Sequence, residues 1–466
     1  MNDAVPPRTI TRFARSDAYR AQSHQLIPGG AHTYSRGDDQ FPALAPAAIA
    51  RGKGARVWDV DGNEYVDCLM ALGSVSLGHA YEPVLEAVRA QLELGAGFQR
   101  PAAVELELAR EFVDAIPGAE RVKFGKNGST VTTAAVRLAR AFTGRELVAF
   151  PGNHPFYSYD DWFIGKTLAS NGVPESAKAL SVTYDSTRPD TLERLFREYP
   201  GRIACVITEP EEAIPVAPDA LREVARLARE HGALFIADEM VTGYRAGWPG
   251  ACGRLGIETD MSTWGKAIGN GFSFCALTGR ADVMDLGGIQ QRKAQRVFLI
   301  STTHGGEAHA LAAARAVLHE YRTKDVIGHQ GRIAAAVAEG MRRAVAAHGV
   351  GEFLQVHASP WRVVNVTHDA ERKVSLAFRT LLLQEMIGRG ALYQGFFLPC
   401  YAHTDADVDV VVRAFDATAA VYREALDHGV DKFLIGPAIR PVFRKYNGCA
   451  QICPATPCPH EAQCRA

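Results

Sequence analysis

An α/β fold built on a mainly parallel sheet is the class that this sequence predicts. Two observations carry that expectation. Short apolar runs of strand type alternate with amphipathic helical stretches, and residues 203–237 contain a complete strand-helix-strand unit. No fixed-period repeat or low-complexity tract is evident, which sets solenoids and propellers aside. Composition agrees with a substantial buried core: 466 residues, 47% hydrophobic and 22% charged, with 51 Lys+Arg against 52 Asp+Glu for a formal net charge of −1. That balance argues against a disordered chain and against the basic excess of a nucleic-acid binder.

Residues 1–60 read as an N-terminal arm with part of a small domain, and residues 61–320 as a large domain. Residues 101–116 are expected to be helical, because Pro101 suits a first turn, apolar residues recur at helical spacing, and Pro117-Gly118 stops the run. Residues 129–142 form another expected helix, opened by the turn Gly125-Lys126-Asn127-Gly128. Buried strands are expected at 147–150, 203–207 and 233–237, and a helix at 219–231, ended by Gly232, joins the last two. From 321 to 447 the texture changes to Ala/Arg-rich helices at 333–348, 370–388 and 405–426 with short strands such as 361–366, which predicts a smaller α+β C-terminal domain. Residues 448–466 form a cysteine-rich tail.

The chemistry concentrates in two places. Asp238 closes the apolar run Phe235-Ile236-Ala237, so it is expected at the carboxyl end of a buried strand, where ligands of open α/β sheets bind. A carboxylate there needs a cationic partner or hydrogen bonds, and a pyridinium nitrogen is one such partner. Lys266 follows 28 positions later in Gly265-Lys266-Ala267-Ile268-Gly269-Asn270-Gly271, flanked by small residues on a turn. A lysine so placed forms a Schiff base when its surroundings disfavour the ammonium form. An aspartate for the ring nitrogen and a lysine for the aldehyde are the two fixed points of a pyridoxal phosphate site. Taken singly, Asp238 is a capped strand end and Lys266 a solvent-facing loop lysine; their joint spacing favours the site. The turn before the 129–142 helix offers backbone N–H groups and the positive helix end to a phosphate, with Ser129 adding a hydroxyl. Ser129 as a plain N-cap is the bland alternative, and the spacing is not that of a nucleotide P-loop.

These residues, together with Ile27-Pro28-Gly29-Gly30, Trp58-Asp59-Val60-Asp61-Gly62-Asn63-Glu64-Tyr65-Val66-Asp67, Leu77-Gly78-His79, Glu209-Pro210, Asp238-Glu239 and Thr303-His304-Gly305-Gly306-Glu307, resemble the class III pyridoxal-phosphate aminotransferases, in the branch of glutamate-1-semialdehyde 2,1-aminomutase. The resemblance covers nearly all of residues 25–445 in the family's order. It implies a fold type I enzyme with a seven-stranded-type sheet, pyridoxal 5'-phosphate as cofactor, and a homodimer whose active site lies at the interface. By position it implies Lys266 as the Schiff-base lysine and proton carrier, Asp238 as the pyridinium partner, Gly128 and Ser129 as phosphate ligands, and Thr303 as the threonine reaching the phosphate from the neighbouring subunit, with Thr302 as the fallback. Two departures stand out. Where the family carries Tyr-His-Gly, with the tyrosine stacked on the cofactor, this chain has Asn153-His154-Pro155, which leaves Phe156 and Tyr157 as candidate substitutes; and Thr130 stands where an acidic residue is frequent.

The resemblance implies an aminotransferase moving an amino group between a donor and a carbonyl acceptor. The motif Gly29-Gly30-Ala31-His32-Thr33-Tyr34-Ser35-Arg36, with His32, Tyr34 and Arg36 as candidate entrance residues, leans towards sugar, polysaccharide or secondary-metabolite biosynthesis by analogy. An intramolecular aminomutase is the alternative. Two remoter readings are a nicotinamide oxidoreductase, from the spacing Gly265-x3-Gly269-x-Gly271, and a cofactor-free interaction protein on the same scaffold.

No signal-peptide core or run of about 18 apolar residues is found, so a soluble, cytoplasmic protein is expected. Cys68, Cys205, Cys252, Cys275 and Cys400 then read as reduced core cysteines. Cys449, Cys453, Cys458 and Cys464, with His460, are candidate metal ligands, but no C-x2-C pair is present and no metal is predicted.

Overall fold

The computed structural model describes residues 6–153, 156–211, 217–291 and 295–447. The chain divides into two compact units. One holds the residues up to Leu72, Gly78–Ala80 and those from Gly328 onward; the other holds Gly73–Leu77 and Tyr81–Ile327.

The second unit is built on a seven-stranded sheet in the order Arg121–Gly125, Cys275–Gly279, Met261–Trp264, Leu234–Asp238, Ile203–Thr208, Leu147–Pro151, Ser181–Tyr184. Only Cys275–Gly279 runs opposite to the rest, pairing antiparallel with both neighbours. The central strands are apolar and buried throughout, as sheets covered on both faces require. Helix Pro218–Glu230 connects two of them and packs Leu221, Val224, Ala225, Leu227 and Ala228 into a core with Leu147, Val206 and Phe235. Helix Gly128–Thr143 starts where Asn127 accepts the Thr130 N–H at 3.0 Å, and ends at Gly144, whose φ of 67° is the left-handed region that glycine tolerates.

The first unit carries two small sheets. One is ordered Ile49–Lys53, Arg56–Asp59, Glu64–Asp67, Ala391–Leu392, and the other Leu354–Ser359, Arg362–Thr367, Phe396–Phe397. The parallel pairing of Glu64–Asp67 with Ala391–Leu392 joins early and late sequence, which is why this unit reaches Leu72 rather than ending at the expected residue 60. The arm itself contains a helix, Ala14–Leu26. Helices Val326–Ala347, Leu376–Ile387 and Asp405–His428 contribute Val337, Met341, Leu381, Met386, Val411 and Phe415 to one core. The expected helix at 370–388 begins only at Leu376. Asp369 accepts the Glu371 and Lys373 N–H groups, Arg372 adopts φ 62°, and Ser375 caps the helix by accepting the Phe378 N–H at 3.3 Å; these local bonds outcompete a helical start. Among the described residues no helix is long and apolar enough to cross a membrane.

Candidate active site

Parallel strands deliver their carboxyl ends to one edge of the seven-stranded sheet, and that edge collects the reactive side chains. Asp238 is the last residue of Leu234–Asp238, and Glu209 follows the last residue of Ile203–Thr208. Lys266 begins the short 3-10 turn Lys266–Gly269 just beyond Met261–Trp264. Cys275, opening the one reversed strand, and the turn after Gly125 reach the same edge.

Asp238 pairs in register with Thr263, whose Oγ1 donates to Asp238 Oδ1 at 2.8 Å, and the Met240 N–H donates to the same oxygen at 3.1 Å. The carboxylate is buried at 5% exposure. Its neighbour Glu239 points the other way, as strand-end alternation dictates. Glu239 accepts the Ala251 and Cys252 N–H groups at 3.0 and 2.7 Å and the Thr242 hydroxyl, so it caps helix Ala251–Leu255. Burial raises its pKa against the pull of those bonds. The Asp-Glu pair thus splits into one site residue and one structural residue.

Lys266 is ringed by protein while keeping partial exposure, and burial pushes its amine below the ordinary lysine range. Glu209 and Asp238 oppose that shift by attracting the ammonium, and Arg245 adds to it by repulsion. The result is an amine nearer neutrality than a surface lysine, facing two buried carboxylates. Such an arrangement binds a carbonyl carbon at the amine and a protonated ring nitrogen or other cation at the acid.

The backbone around Lys266 is closely packed. A Cβ on Gly265 would overlap Met240 Sδ and come within 2.7 Å of Cys275 Sγ, while one on Gly128 would lie 3.3 Å from Met240 Cε. Met240 therefore lies between the Gly128 helix start and the Lys266 turn. At that helix start Ser129 is buried, its Oγ accepting the Tyr159 N–H at 3.0 Å. Thr130 donates both its N–H and its hydroxyl to Asn127, so it serves the cap.

The other expected residues differ in exposure and bonding. Thr303 is exposed, and Thr302 Oγ1 donates to the His304 carbonyl at 2.6 Å; the same loop is tied down by the Lys126–Glu307 ion pair at 2.6 Å. Tyr157 is buried against Phe150 and Phe163, and its hydroxyl accepts the Glu209 N–H at 3.1 Å. That bond commits Tyr157 to holding Glu209 in place, whereas Phe156 is 49% exposed. Asn153 Nδ2 donates to Ser186 Oγ at 3.2 Å. His32, Tyr34 and Arg36 belong to the first unit. His154 and Pro155, and Cys449, Cys453, Cys458, His460 and Cys464, lie outside the described residues. Among the described residues no cluster of three metal-ligating side chains occurs.

Sequence reasoning assigned no role to Glu209 or Met240. Both carried a signal: Glu209 directly follows a six-residue buried strand as Asp238 completes one, and Met240 stands two residues beyond Asp238. The spacing Gly265-x3-Gly269-x-Gly271, weighed as a nucleotide turn, instead shapes the Lys266 turn after a strand late in the chain.

The family Aminotransferase class-III matches residues 34–359. Among curated relatives, glutamate-1-semialdehyde 2,1-aminomutase of Anaeromyxobacter sp. (strain Fw109-5) is 34% identical over 433 residues, covering 87% of this chain and 98% of the relative. The protein of the same name from Roseiflexus castenholzii (strain DSM 13941 / HLO8) is 32% identical over 438 residues, covering 88% and 98%. Among solved structures, the PLP internal aldimine form of the FumI protein of Sphingopyxis sp. MTA144 superposes with a TM-score of 0.80 at 25% identity, over 89% of this chain and 98% of that one. The chain belongs to the class-III aminotransferase family and is a pyridoxal-phosphate-dependent enzyme.

Proposed function

We propose that this enzyme shifts an amino group between adjacent carbons of one substrate, in the manner of glutamate-1-semialdehyde 2,1-aminomutase, using Lys266 and Asp238 as its two fixed points. The observation that carries the active-site assignment is the meeting of Lys266, whose surroundings disfavour the ammonium form, with Asp238 at one sheet edge. The aminomutase reading rests on the names of the curated relatives, both of which span nearly their whole length on this chain. Transamination between an amino donor and a carbonyl acceptor, which the sequence alone favoured, is the second reading, supported by the family's name. We also assign the protein to the cytoplasm, as a homodimer with Thr303 reaching the partner's site.

The residues fit pyridoxal phosphate. The donor set offers an amine, a carboxylate and a helix N-terminus, and Gly128 and Gly265 let Met240 pack close against the backbone between the last and the first of these. Bound there, the cofactor supplies an electron sink for charge developing on the substrate carbon. Lys266 Nζ would hold the cofactor, and its free amine would carry a proton from one carbon to another. Asp238 would accept a hydrogen bond from the ring nitrogen and keep it protonated. Thr263 and the Met240 N–H hold that carboxylate in place. Gly128 and Ser129 would present N–H groups to the phosphate.

A single-turnover reaction decides between the readings. The protein loaded with pyridoxal phosphate is mixed with glutamate-1-semialdehyde, and then with ordinary amino donors. Conversion to the isomer of equal mass, with no keto acid released, is the expected result. Release of a keto product from an external donor, with no isomerisation, establishes the transaminase.

A further inference from the structure

Lys266 adopts φ +45°, a left-handed conformation that non-glycine residues rarely take. Something must hold it there. Asn270, four residues on, is left-handed as well at φ 41° and ψ 48°, and is buried at 8% exposure. Its Oδ1 accepts two backbone bonds at once, from the Ser76 N–H and the Leu77 N–H, each at 2.9 Å. The same short segment returns the contact. Ser76 Oγ, fully buried, donates to the Ala267 carbonyl at 2.9 Å, and the Gly271 N–H donates to the Ser74 carbonyl at 2.8 Å. Arg245 donates to the Gly73 carbonyl and so ties the start of the segment to the same neighbourhood.

Five bonds therefore bind Gly73–Leu77 to Arg245 and to the turn that carries Lys266, and two of them converge on one side-chain oxygen. Removing that oxygen strands two buried N–H groups, which native interiors rarely tolerate.

We propose that Asn270 is a positioning residue, whose side chain clamps the Gly73–Leu77 segment onto the Lys266 turn and thereby holds the Lys266 amine in its enclosed, reactive setting. The inference rests on the assignment of Lys266 made above. The groups facing that amine are Glu209, Asp238, Arg245 and Cys275, and none of them belongs to the clamp's side-chain oxygen. When the clamp loosens, the turn relaxes, water reaches Lys266 and its amine returns towards ordinary lysine behaviour.

The test uses the full chain freed of cofactor and then mixed with pyridoxal phosphate. The rate of covalent attachment is followed across pH by the absorbance of the bound cofactor, and borohydride trapping with peptide mass analysis locates it. Asn270→Gly is the informative variant, because glycine accepts the left-handed backbone while the side-chain amide, with the oxygen that holds Ser76 and Leu77, is lost. Attachment at neutral pH is expected to slow about tenfold, with its pH midpoint moving upward by about one unit, as the amine regains its preference for the ammonium form. Ser76→Ala, which loses the bond to the Ala267 carbonyl but keeps both backbone bonds to Asn270, should shift the midpoint in the same direction by less. Thr380→Ala, which destabilises the other unit by removing its bond to the Ile439 N–H, should leave the midpoint unmoved. A folded Asn270→Gly protein with the wild-type rate and midpoint overturns the proposal, and if that variant does not fold, an unmoved midpoint in Ser76→Ala does so. Wild-type protein trapped at a residue other than Lys266 overturns the assignment of Lys266 itself, an outcome visible before any variant is made.

Discussion

Thr263 Oγ1 donates a 2.8 Å hydrogen bond to Asp238 Oδ1 across two paired parallel strands, so the carboxylate assigned to the ring nitrogen is aimed by its neighbour in the ladder. Asp238→Asn keeps the shape and removes the charge. It is expected to retain cofactor on Lys266 but to lower kcat by about 10²-fold or more, within the range that such proton-holding groups contribute. Thr263→Val removes a bond to a charged group, costing about 2 kcal/mol of stability, with a smaller loss of kcat. Steady-state kinetics beside a denaturant titration check both. An Asp238→Asn enzyme with undiminished kcat would remove the pyridinium role from this residue.

The five described cysteines are expected to stay unmodified in the native protein. Burial pushes Cys205, Cys275 and Cys400 up to about 12, and raises Cys68 and Cys252 well above the ordinary thiol range. Thiolate is the reactive form, so alkylation at pH 7.5 should spare these five until denaturant is added. Peptide mass analysis after iodoacetamide treatment, with and without guanidinium, reads this directly. Rapid native labelling of Cys275 would show that the Lys266 edge opens more than its packing suggests.

Much of this arrangement was legible in the sequence, and the reasons are local. The runs at 203–207 and 233–237 could be read as buried strands because each is continuously apolar, and the ends of such strands point to a ligand edge. What the sequence hid depends on partners distant along the chain. Glu239 looks like a twin of Asp238 until the Ala251 and Cys252 N–H groups claim it. Tyr157 looks like a stacking candidate until its hydroxyl is found on the Glu209 N–H. Asn270 looks like one more turn residue, since nothing near it in sequence announces that Ser76 and Leu77 will arrive. The missing first turns of the 370–388 helix have the opposite origin: Asp369 and Ser375 are strong local cappers, and their signal was outweighed by helical composition.

A buried imidazole in the first unit predicts acid sensitivity. His403 is 1% exposed, and its Nδ1 accepts the Cys400 N–H at 2.9 Å, a bond that only an unprotonated Nδ1 can make. Burial lowers its pKa to about 4, against the opposing pull of Asp407 and Asp67. The unfolded chain takes up this proton near pH 6.5, the folded protein only near pH 4. Between those values the unfolded state binds more protons, so stability rises with pH and is lost on acidification, by on the order of 3 kcal/mol across the window. His403→Asn keeps an acceptor for Cys400 and cannot titrate there. Urea midpoints measured between pH 7 and pH 4 should fall less steeply in that variant. Parallel curves for the two proteins would place the acid sensitivity elsewhere.

Gly265→Ala separates packing at the site from backbone strain. Gly265 has φ 177°, extended backbone that alanine adopts freely, so the only penalty is the added methyl. That methyl would overlap Met240 Sδ and lie within 2.7 Å of Cys275 Sγ, and overpacking of this kind costs about 1–3 kcal/mol. The cheaper escape is for Met240, the more flexible neighbour, to swing away, since the Cys275 backbone is fixed in the sheet by its pairing with Gly125. Met240 would then move into the space next to Gly128 that the cofactor is assigned. The variant is therefore expected to fold with a modest fall in Tm while its pyridoxal phosphate dissociation constant rises about tenfold or more. Met240→Ala on the same background vacates the contested space and should recover most of that affinity. If the double variant binds no better than Gly265→Ala alone, the methyl acts on Lys266 or Cys275 rather than through Met240.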